Sequence, residues 1–335
     1  MTARSSVARE HGFRLIDLPR ACDRHLYGHT IDKLVRELSA EGFVDSIYQV
    51  GGVRHPGISD IDLLVVVDDE AASSDDPLES LTADERYLFP HSCFLVPTSL
   101  APELDTFALL HEYRWLHGTT WTWAERSDEG EAASALRVQT ALEFLVKNLL
   151  DLYVQVEYRV VKVRVLLQHI KGLQLDLTLL DLEDEHLNAL TERAASLIDH
   201  WFERDDGEQR VAELAADLLP ALRRAVGEAT EKHQLYSPSM PTVSFSSNST
   251  LDNGTPIQLS RQGVRLPHVP ALKERQHFNA QHRVNRFRFR LPMTTAPAGS
   301  YHERRFDYLG RAKSFASNRF PAYAAPIPPL FYRAL

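Results

Sequence analysis

Residues 48–69 constrain the fold of this chain more than any other stretch. They read YQVGGVRHPGISDIDLLVVVDD. The β-prone residues 47–50 precede Gly51 and Gly52, which accept positive φ values and let a ligand approach the backbone closely. Residues 61–67 are almost all β-branched or Leu, which is typical of a strand buried on both faces. The stretch therefore predicts a strand, a tight glycine turn and a second, central strand.

Two acidic residues open the second predicted strand. Asp60 and Asp62 are two positions apart, so on a pleated strand both carboxylates project from one face, beside the glycine turn. Asp is depleted in strands, and here it interrupts an apolar segment twice in register. Carboxylates next to backbone N–H groups suit Mg²⁺ held between protein and phosphate oxygens. We predict Asp60 and Asp62 as metal ligands, with a solvated strand end as the alternative.

The order of these residues resembles the polymerase-β-type nucleotidyltransferase superfamily, whose members share a Gly-Gly or Gly-Ser turn and an Asp-x-Asp pair. The resemblance implies nucleotidyl transfer from an NTP, with Mg²⁺ as the cofactor and Asp60 and Asp62 as the catalytic metal ligands. A second set of residues is expected to contact the nucleotide. This set is Gly51, Gly52, Ser59 and Arg54.

The resemblance also implies a fold. An amphipathic helix over residues 29–40, with apolar side chains at helical spacing, precedes the turn strand. We expect an α/β (α+β) nucleotidyltransferase-like mixed sheet with an all-helical second domain and an irregular basic C-terminal region. The predicted limits are 1–125 for the nucleotidyltransferase-like domain, 131–235 for the helical bundle, and 236–335 for a Ser/Pro-rich linker and basic region. Residues 1–235 are expected to fold without the last hundred.

The superfamily completes its metal site with a third acid on a neighbouring strand, and here the sequence departs from the pattern. The next predicted strand, residues 87–96, contains no carboxylate. His91 or Ser92 stands at the corresponding place, and His91 is interpreted as a ligand, a base or a strand-end histidine. Four acids in the flanking segments are candidates to reach the site. These are Asp84, Glu85, Glu103 and Asp105.

Two further segments are predicted to be helical. Residues 104–116 have apolar spacing typical of a helix that stops at Gly118, and their aromatic side chains are interpreted as core rather than as a base-stacking surface. Residues 131–233 predict a bundle whose first helix ends or bends at residues 171–172. Arg164 and His169 have the loose spacing of HEPN-type ribonucleases, but we interpret them as a surface charge and a helix-face histidine.

Composition limits the class of protein and exposes an uneven charge distribution. The two cysteines, Cys22 and Cys93, offer neither a disulfide framework nor metal-binding spacing, and no stretch is long and apolar enough for a membrane span. We therefore expect a cytoplasmic protein without a membrane partner. Residues 1–235 hold 23 Lys and Arg against 42 Asp and Glu, whereas residues 236–335 hold 14 against 4. Nucleic-acid contact is therefore predicted only for the basic C-terminal region.

The sequence VNRFRFRL over residues 284–291 alternates basic and apolar side chains as a strand does. Phe287 and Phe289 are predicted on one face and Arg286, Arg288 and Arg290 on the other. Such a pattern can bind single-stranded nucleic acid. It is also typical of an edge strand, or of a tail that docks on the acidic body, and this second interpretation is favoured.

Two functions follow from the sequence. The first is a Mg²⁺-dependent nucleotidyltransferase that transfers a nucleoside monophosphate from an NTP to an unidentified acceptor. The second is a catalytically weak or inactive nucleotidyltransferase-like domain that acts as a binding or regulatory module. The missing third carboxylate is the feature that separates them.

Overall fold

The computed structural model describes residues 12–108, 112–121, 123, 130–239, 242–267, 273–327 and 330–331. Within these residues the chain forms two compact units. The first unit contains the described residues of 20–137 and 297–327, and the second contains those of 12–19 and 138–296 with 330–331. The boundary near residue 137 falls inside a long helix.

The strands, in chain order, are β1 (Arg14–Ile16), β2 (Val44–Val50), β3 (Asp62–Val67), β4 (Phe94–Pro97), β5 (Tyr113–Gly118), β6 (Val160–Lys162), β7 (Tyr236–Ser237), β8 (Thr242–Ser246), β9 (Ser249–Asn253), β10 (Gln258–Gly263), β11 (Asn285–Leu291) and β12 (Thr294–Thr295). The helices are α1 (Arg24–Ser39), α2 (Ala83–Tyr87), α3 (Leu104–Phe107), α4 (Glu131–Tyr158), α5 (Val163–Leu179), α6 (Glu185–Asp199), α7 (Gly207–Lys232), α8 (Glu274–Val284) and α9 (Tyr301–Arg319).

The first unit is built on a mixed sheet with the order β4-β3-β2-β5. β2 pairs antiparallel with β3 and β5, and β3 pairs parallel with β4. Residues 63–67 of β3 are at most 1 % exposed, which confirms the predicted strand buried on both faces. The β2–turn–β3 order agrees with the sequence prediction.

Helix α1 covers one face of this sheet. The Asp23 side chain accepts a hydrogen bond from the His25 N–H and caps the helix, so α1 begins five residues before the predicted start. Its apolar stripe meets the odd-numbered side chains of β3 in one buried cluster. The stripe comprises Tyr27, Ile31, Leu34 and Leu38.

The C-terminal helix α9 supplies the core on the opposite face. Tyr308 and Leu309 are buried with Leu64 and Val66 of β3, and the Tyr308 hydroxyl donates to the Leu100 carbonyl at 3.1 Å. After α9 the chain bridges to the outer edge of β4, where the Leu95 N–H donates to the Ala324 carbonyl at 2.8 Å. Residues 297–327 therefore supply part of the core that residues 1–235 were expected to form alone, and the folding of residues 1–235 without them stays a prediction.

Two local predictions in the first unit are wrong. The helix predicted over residues 104–116 ends at Phe107, and residues 113–118 form β5, since they complete the backbone hydrogen bonds of the free edge of β2. The strand predicted over residues 87–96 is shortened to β4, which begins at Phe94. Tyr87, the first residue of the predicted strand, belongs instead to α2, which starts at a capping box between Thr82 and Glu85.

The helices of the second unit follow the predicted bundle with three differences. Arg159, at φ 53°, separates α4 from α5, and α5 runs through residues 171–172 without ending. Arg164 is buried rather than a surface charge. Burial and the neighbouring Lys147 lower the pKa of His169 to about 4, despite the opposing effect of Asp151.

The second unit also contains a four-stranded sheet with the order β10-β11-β9-β8. The sheet is formed by residues 242–291, so the prediction that residues 236–335 are irregular is wrong, and helices α8 and α9 also fall in that range. Residues 131–235, predicted as an all-helical domain, contain α4 to α7 and one three-residue strand, β6. The predicted limits 1–125, 131–235 and 236–335 do not coincide with the two compact units. In the part of the chain that the structure describes, no helix is long and apolar enough to cross a membrane.

A first prediction concerns α9. Replacing the buried Leu309 by Ala removes apolar contacts with the sheet and leaves a cavity, so we expect a loss of about 2–5 kcal/mol in the free energy of unfolding. Ser317→Ala, at an exposed position of the same helix, is the matched control and is expected to change little. Urea denaturation of both variants measures the difference, and equal stabilities would contradict the core role of α9.

A second prediction concerns Asp176 on α5, whose pKa burial raises from 3.8 to about 7. The unfolded chain releases this proton more readily, so the residue destabilises the fold progressively as the pH rises from about 4 to about 7. Asp176→Asn removes this penalty. We expect the variant to gain on the order of 2 kcal/mol at pH 8 and almost nothing at pH 4, measured by thermal unfolding. A gain that is the same at both pH values would contradict the assignment.

Candidate functional site

Pairing between β2 and β3 sets the geometry of the candidate site. In the antiparallel register Asp62 lies opposite Val50, the residue that precedes the glycine turn. Gly51 has a φ of 66°, in the left-handed region that favours glycine. Asp62 is the first residue of β3, and Asp60 lies two residues before it. The structure thus places the Asp62 backbone beside the turn, as the sequence predicts.

The loop between the turn and β3 is held by two tyrosine hydroxyls. Tyr27 accepts from the Gly57 N–H at 2.9 Å and donates to the Ser59 carbonyl at 2.8 Å. Tyr87 donates to the Gly57 carbonyl at 2.7 Å. The Ser59 hydroxyl, expected to contact nucleotide, accepts from the His55 N–H at 3.0 Å. The Ser59 hydroxyl thus makes a hydrogen bond inside the loop and stabilises the loop conformation.

His91 stands next to Asp62, where the sequence resemblance predicts a third acid. Its Nε2 lies 3.0 Å from Asp62 Oδ1, and its Nδ1 lies 2.8 Å from the Ser92 carbonyl oxygen. Asp62 Oδ1 is buried and has no hydrogen bond of regular geometry. The parallel pairing of β3 with β4 brings the two residues together, because His91 precedes β4 by three residues.

The surroundings of His91 favour its charged form. A carbonyl oxygen only accepts hydrogen bonds, so Nδ1 donates to Ser92, and Nε2 then faces a carboxylate. Burial lowers the pKa of His91, but the carboxylate of Asp62, the Ser92 carbonyl and the charge of Asp60 outweigh that effect, and the pKa is raised. Asp62 therefore contacts this imidazole directly, and the charge of Asp60 adds a smaller effect on its pKa.

The acids predicted to reach in from the flanking segments have other partners or positions. Glu85 accepts from the Thr82 N–H at 2.8 Å and pairs with Lys33 at 3.2 Å, which lowers its pKa. Glu103 lies 3.6 Å from Arg304, Asp105 is buried in α3, and Asp84 is exposed in the first turn of α2. Among the described residues, no group of three or more His, Cys, Asp or Glu side chains is arranged to hold a metal ion.

The two turn glycines differ in what they offer a ligand. The Gly51 N–H donates to the Glu112 carbonyl at 3.1 Å, so it belongs to the β2–β5 connection. The Gly52 N–H has no hydrogen bond within the described residues, and no atom lies within 4 Å of the position a Cβ would take there. Gly52 is thus the open donor of the turn. Arg54 is exposed and lies 3.4 Å from Glu112.

Three residues near this loop have no signal in the short motif. Tyr27 and Tyr87 fix the loop, as described above, and the Arg24 guanidinium donates to the Arg54 carbonyl at 3.3 Å. Tyr27 lies in the apolar stripe of α1, so the sequence pattern predicts a core residue and gives no sign of its hydroxyl contacts with the loop. Arg24 becomes apparent only when the N-terminus of α1 is placed beside the loop. Arg24 thus brings a second guanidinium group to the loop that carries Arg54.

Comparison with known proteins adds little beyond these residues. No family model matches the sequence, and no curated protein matches it. A solved structure of a nucleotidyltransferase-like protein from Exiguobacterium sibiricum 255-15 is 13% identical, with a TM-score of 0.22, over 61% of this chain and 78% of that one. A TM-score this low does not establish a shared fold, so the functional proposal rests on the residues of the chain itself.

A third prediction tests the conformation of the turn. Gly51→Ala forces an L side chain into the left-handed region and is expected to cost about 1–2 kcal/mol of stability. Gly52→Ala is the matched control, since Gly52 has an ordinary φ and the same open space, and it should be neutral or slightly stabilising. Chemical denaturation compares the two; similar losses in both variants would refute the assigned φ difference.

Proposed function

We propose that the protein is a Mg²⁺-dependent nucleotidyltransferase that transfers a nucleoside monophosphate from an NTP to an acceptor. The observation that supports this best is the register of β2 and β3, because it sets Asp62 opposite Val50 and beside the glycine turn. Carboxylates and an open backbone N–H at one turn are the groups that a metal–triphosphate complex requires.

The chain offers ligands that fit Mg²⁺. This cation commonly binds proteins through one or two carboxylates, with substrate phosphates and water as its other ligands. Asp60 and Asp62 supply two carboxylates, and the buried Asp62 Oδ1 lacks a hydrogen bond of regular geometry. When bound, the cation would neutralise the triphosphate and stabilise the departing pyrophosphate.

The other residues of the turn have separate tasks in this proposal. Gly52 donates its open N–H to a phosphate oxygen, and Arg24 and Arg54 add positive charge from the loop that follows the turn. Tyr27 and Tyr87 hold the loop in one conformation, so ligand binding does not carry the entropic cost of ordering the loop. The residues thereby orient the α-phosphorus for attack by the acceptor.

A second function is favoured by one specific contact. His91 occupies the place of the third carboxylate and pairs with Asp62 at 3.0 Å. An imidazolium there competes with a cation for Asp62 Oδ1 and removes one negative charge from the usual metal set. A nucleotide-binding or regulatory module with weak or absent transfer is therefore the alternative proposal.

A fourth prediction decides between these functions. Asp60→Asn/Asp62→Asn keeps the shape of both side chains but removes their charge. We expect it to weaken Mg²⁺-dependent NTP binding by more than about 100-fold, beyond the loss typical of an outer-sphere partner. Isothermal titration of each NTP, with pyrophosphate release measured alongside, provides both readouts. Asp32→Asn/Asp68→Asn removes two exposed carboxylates and is the matched control.

Each outcome has a distinct meaning. Binding with pyrophosphate release that the double variant loses and the control keeps supports the transferase. Mg²⁺-dependent binding without release, with any acceptor offered, supports the binding module. If the native protein binds no NTP, or if the double variant binds as well as the native chain, the site between Gly51 and Asp62 is wrongly assigned.

A further inference from the structure

One face of the second-unit sheet carries a row of arginines. Along β11 the buried residues alternate with Arg286, Arg288 and Arg290, of which the first two are exposed and the third is partly exposed. Phe287 and Phe289 point to the other face, where both rings lie 6.0 Å from the Tyr153 ring of α4. The predicted alternation is thus confirmed, with the phenylalanines in the core and the arginines turned outward.

The arginine row lies in the interior of the sheet rather than at its edge. β11 pairs antiparallel with β10 and parallel with β9. Residues directly opposite one another share a face, so the arginines are flanked by polar side chains, of which four are neutral and exposed and one is acidic and partly buried. The neutral neighbours are Gln258, Ser260 and Gln262 of β10 and Thr250 of β9, and the acidic one is Asp252 of β9, opposite Arg290. We call this set, with its three arginines, the arginine face.

Asp252 is the one carboxylate among the described residues of the arginine face. Arg288 Nε lies 2.6 Å from Asp252 Oδ2, yet the Arg288 side chain remains 63% exposed. In the described part of the chain, neither Arg286 nor Arg290 is paired with a carboxylate, and Arg286 donates to the carbonyls of Arg283 and Asn285. By contrast, Arg261 of β10 points to the inner face and pairs with Glu157 at 2.7 Å.

We propose that the arginine face binds the phosphate backbone of single-stranded nucleic acid. Alternate residues of a strand are about 7 Å apart, so three guanidinium groups form a line about 13 Å long. The guanidinium fork matches phosphate oxygens, and the flanking amides and hydroxyls add neutral hydrogen bonds. A linear chain of phosphates has this periodicity and charge.

The buried phenylalanines determine how the strand is recognised. Phe287 is 2% exposed and Phe289 is 0% exposed, so neither ring is available to stack on a base. Contact is then made to phosphates and depends little on base sequence. The arginine face has no apolar side chain among its described members, which disfavours a lipid surface and the apolar centre of a protein interface.

Fluorescence anisotropy of a labelled oligouridylate of about 16 nucleotides tests the proposal with the full-length protein. Neutralising three phosphate contacts predicts a slope near −2 for log K against log salt. Arg286→Gln/Arg288→Gln/Arg290→Gln should weaken binding at least tenfold at low salt and flatten this slope. Arg193→Gln/Arg204→Gln/Arg210→Gln, which removes the same charge from exposed positions of the helices and their connection, should keep both values near those of the native chain.

A variant of opposite sign keeps the test decisive if the triple variant unfolds. Asp252→Asn removes the carboxylate beside Arg288 and should tighten binding several-fold. Oligonucleotide binding should also survive Asp60→Asn/Asp62→Asn, since the arginine face does not depend on the proposed transferase site. Three results would overturn the proposal: no binding by the native protein, equal losses in the two triple variants, or displacement by poly-L-glutamate as effective as by unlabelled oligouridylate, which would indicate an acidic polypeptide.

Discussion

Burial of β3 on both faces is the constraint on which the first unit depends. Its residues 63–67 pack against α1 on one side and α9 on the other, and its edges are hydrogen-bonded to β2 and β4. A strand enclosed in this way cannot slip by one residue without turning its side chains to the wrong faces. The register with β2 is therefore fixed, and with it the position of Asp62 beside the glycine turn. The candidate site is a consequence of core packing several residues away.

The same constraint explains why His91 matters. Because β3 and β4 are parallel, both strands start at the same end of the sheet. His91, just before β4, therefore lies near the acids at the start of β3. The resemblance in sequence predicts a carboxylate from a neighbouring strand at this edge. The structure has His91 there, and Asp62, the Ser92 carbonyl and Asp60 raise its pKa against the effect of burial. This histidine in place of the predicted carboxylate is the reason why the site supports two proposals.

The spacing of apolar residues correctly predicted the elements that depend mainly on their own sequence. The β-branched run of β3, the apolar stripe of α1 and the alternation of β11 were all legible from spacing alone. Spacing did not predict the elements whose structure depends on residues that are distant in the sequence. Residues 113–118 joined the sheet because β2 had a free edge, and α9 entered the core of the first unit from about 200 residues away in sequence. The Asp60–Asp62 pair was identifiable from the motif, whereas Arg24, Tyr27 and Tyr87 act only through the folded loop.

The basic residues of the last hundred positions differ in whether the fold leaves them accessible to a ligand. The last hundred residues have an excess of ten basic groups, yet much of this charge is committed to the fold. Arg305 is buried and donates to the Phe107 carbonyl, and Arg261 is paired with Glu157 on the inner face of its sheet. Alternation along β11 has the opposite effect, because it forces three arginines outward while their neighbours enter the core. A ligand therefore meets an ordered row of guanidinium groups rather than a diffuse basic tail, and the order of that row follows from the burial of Phe287 and Phe289.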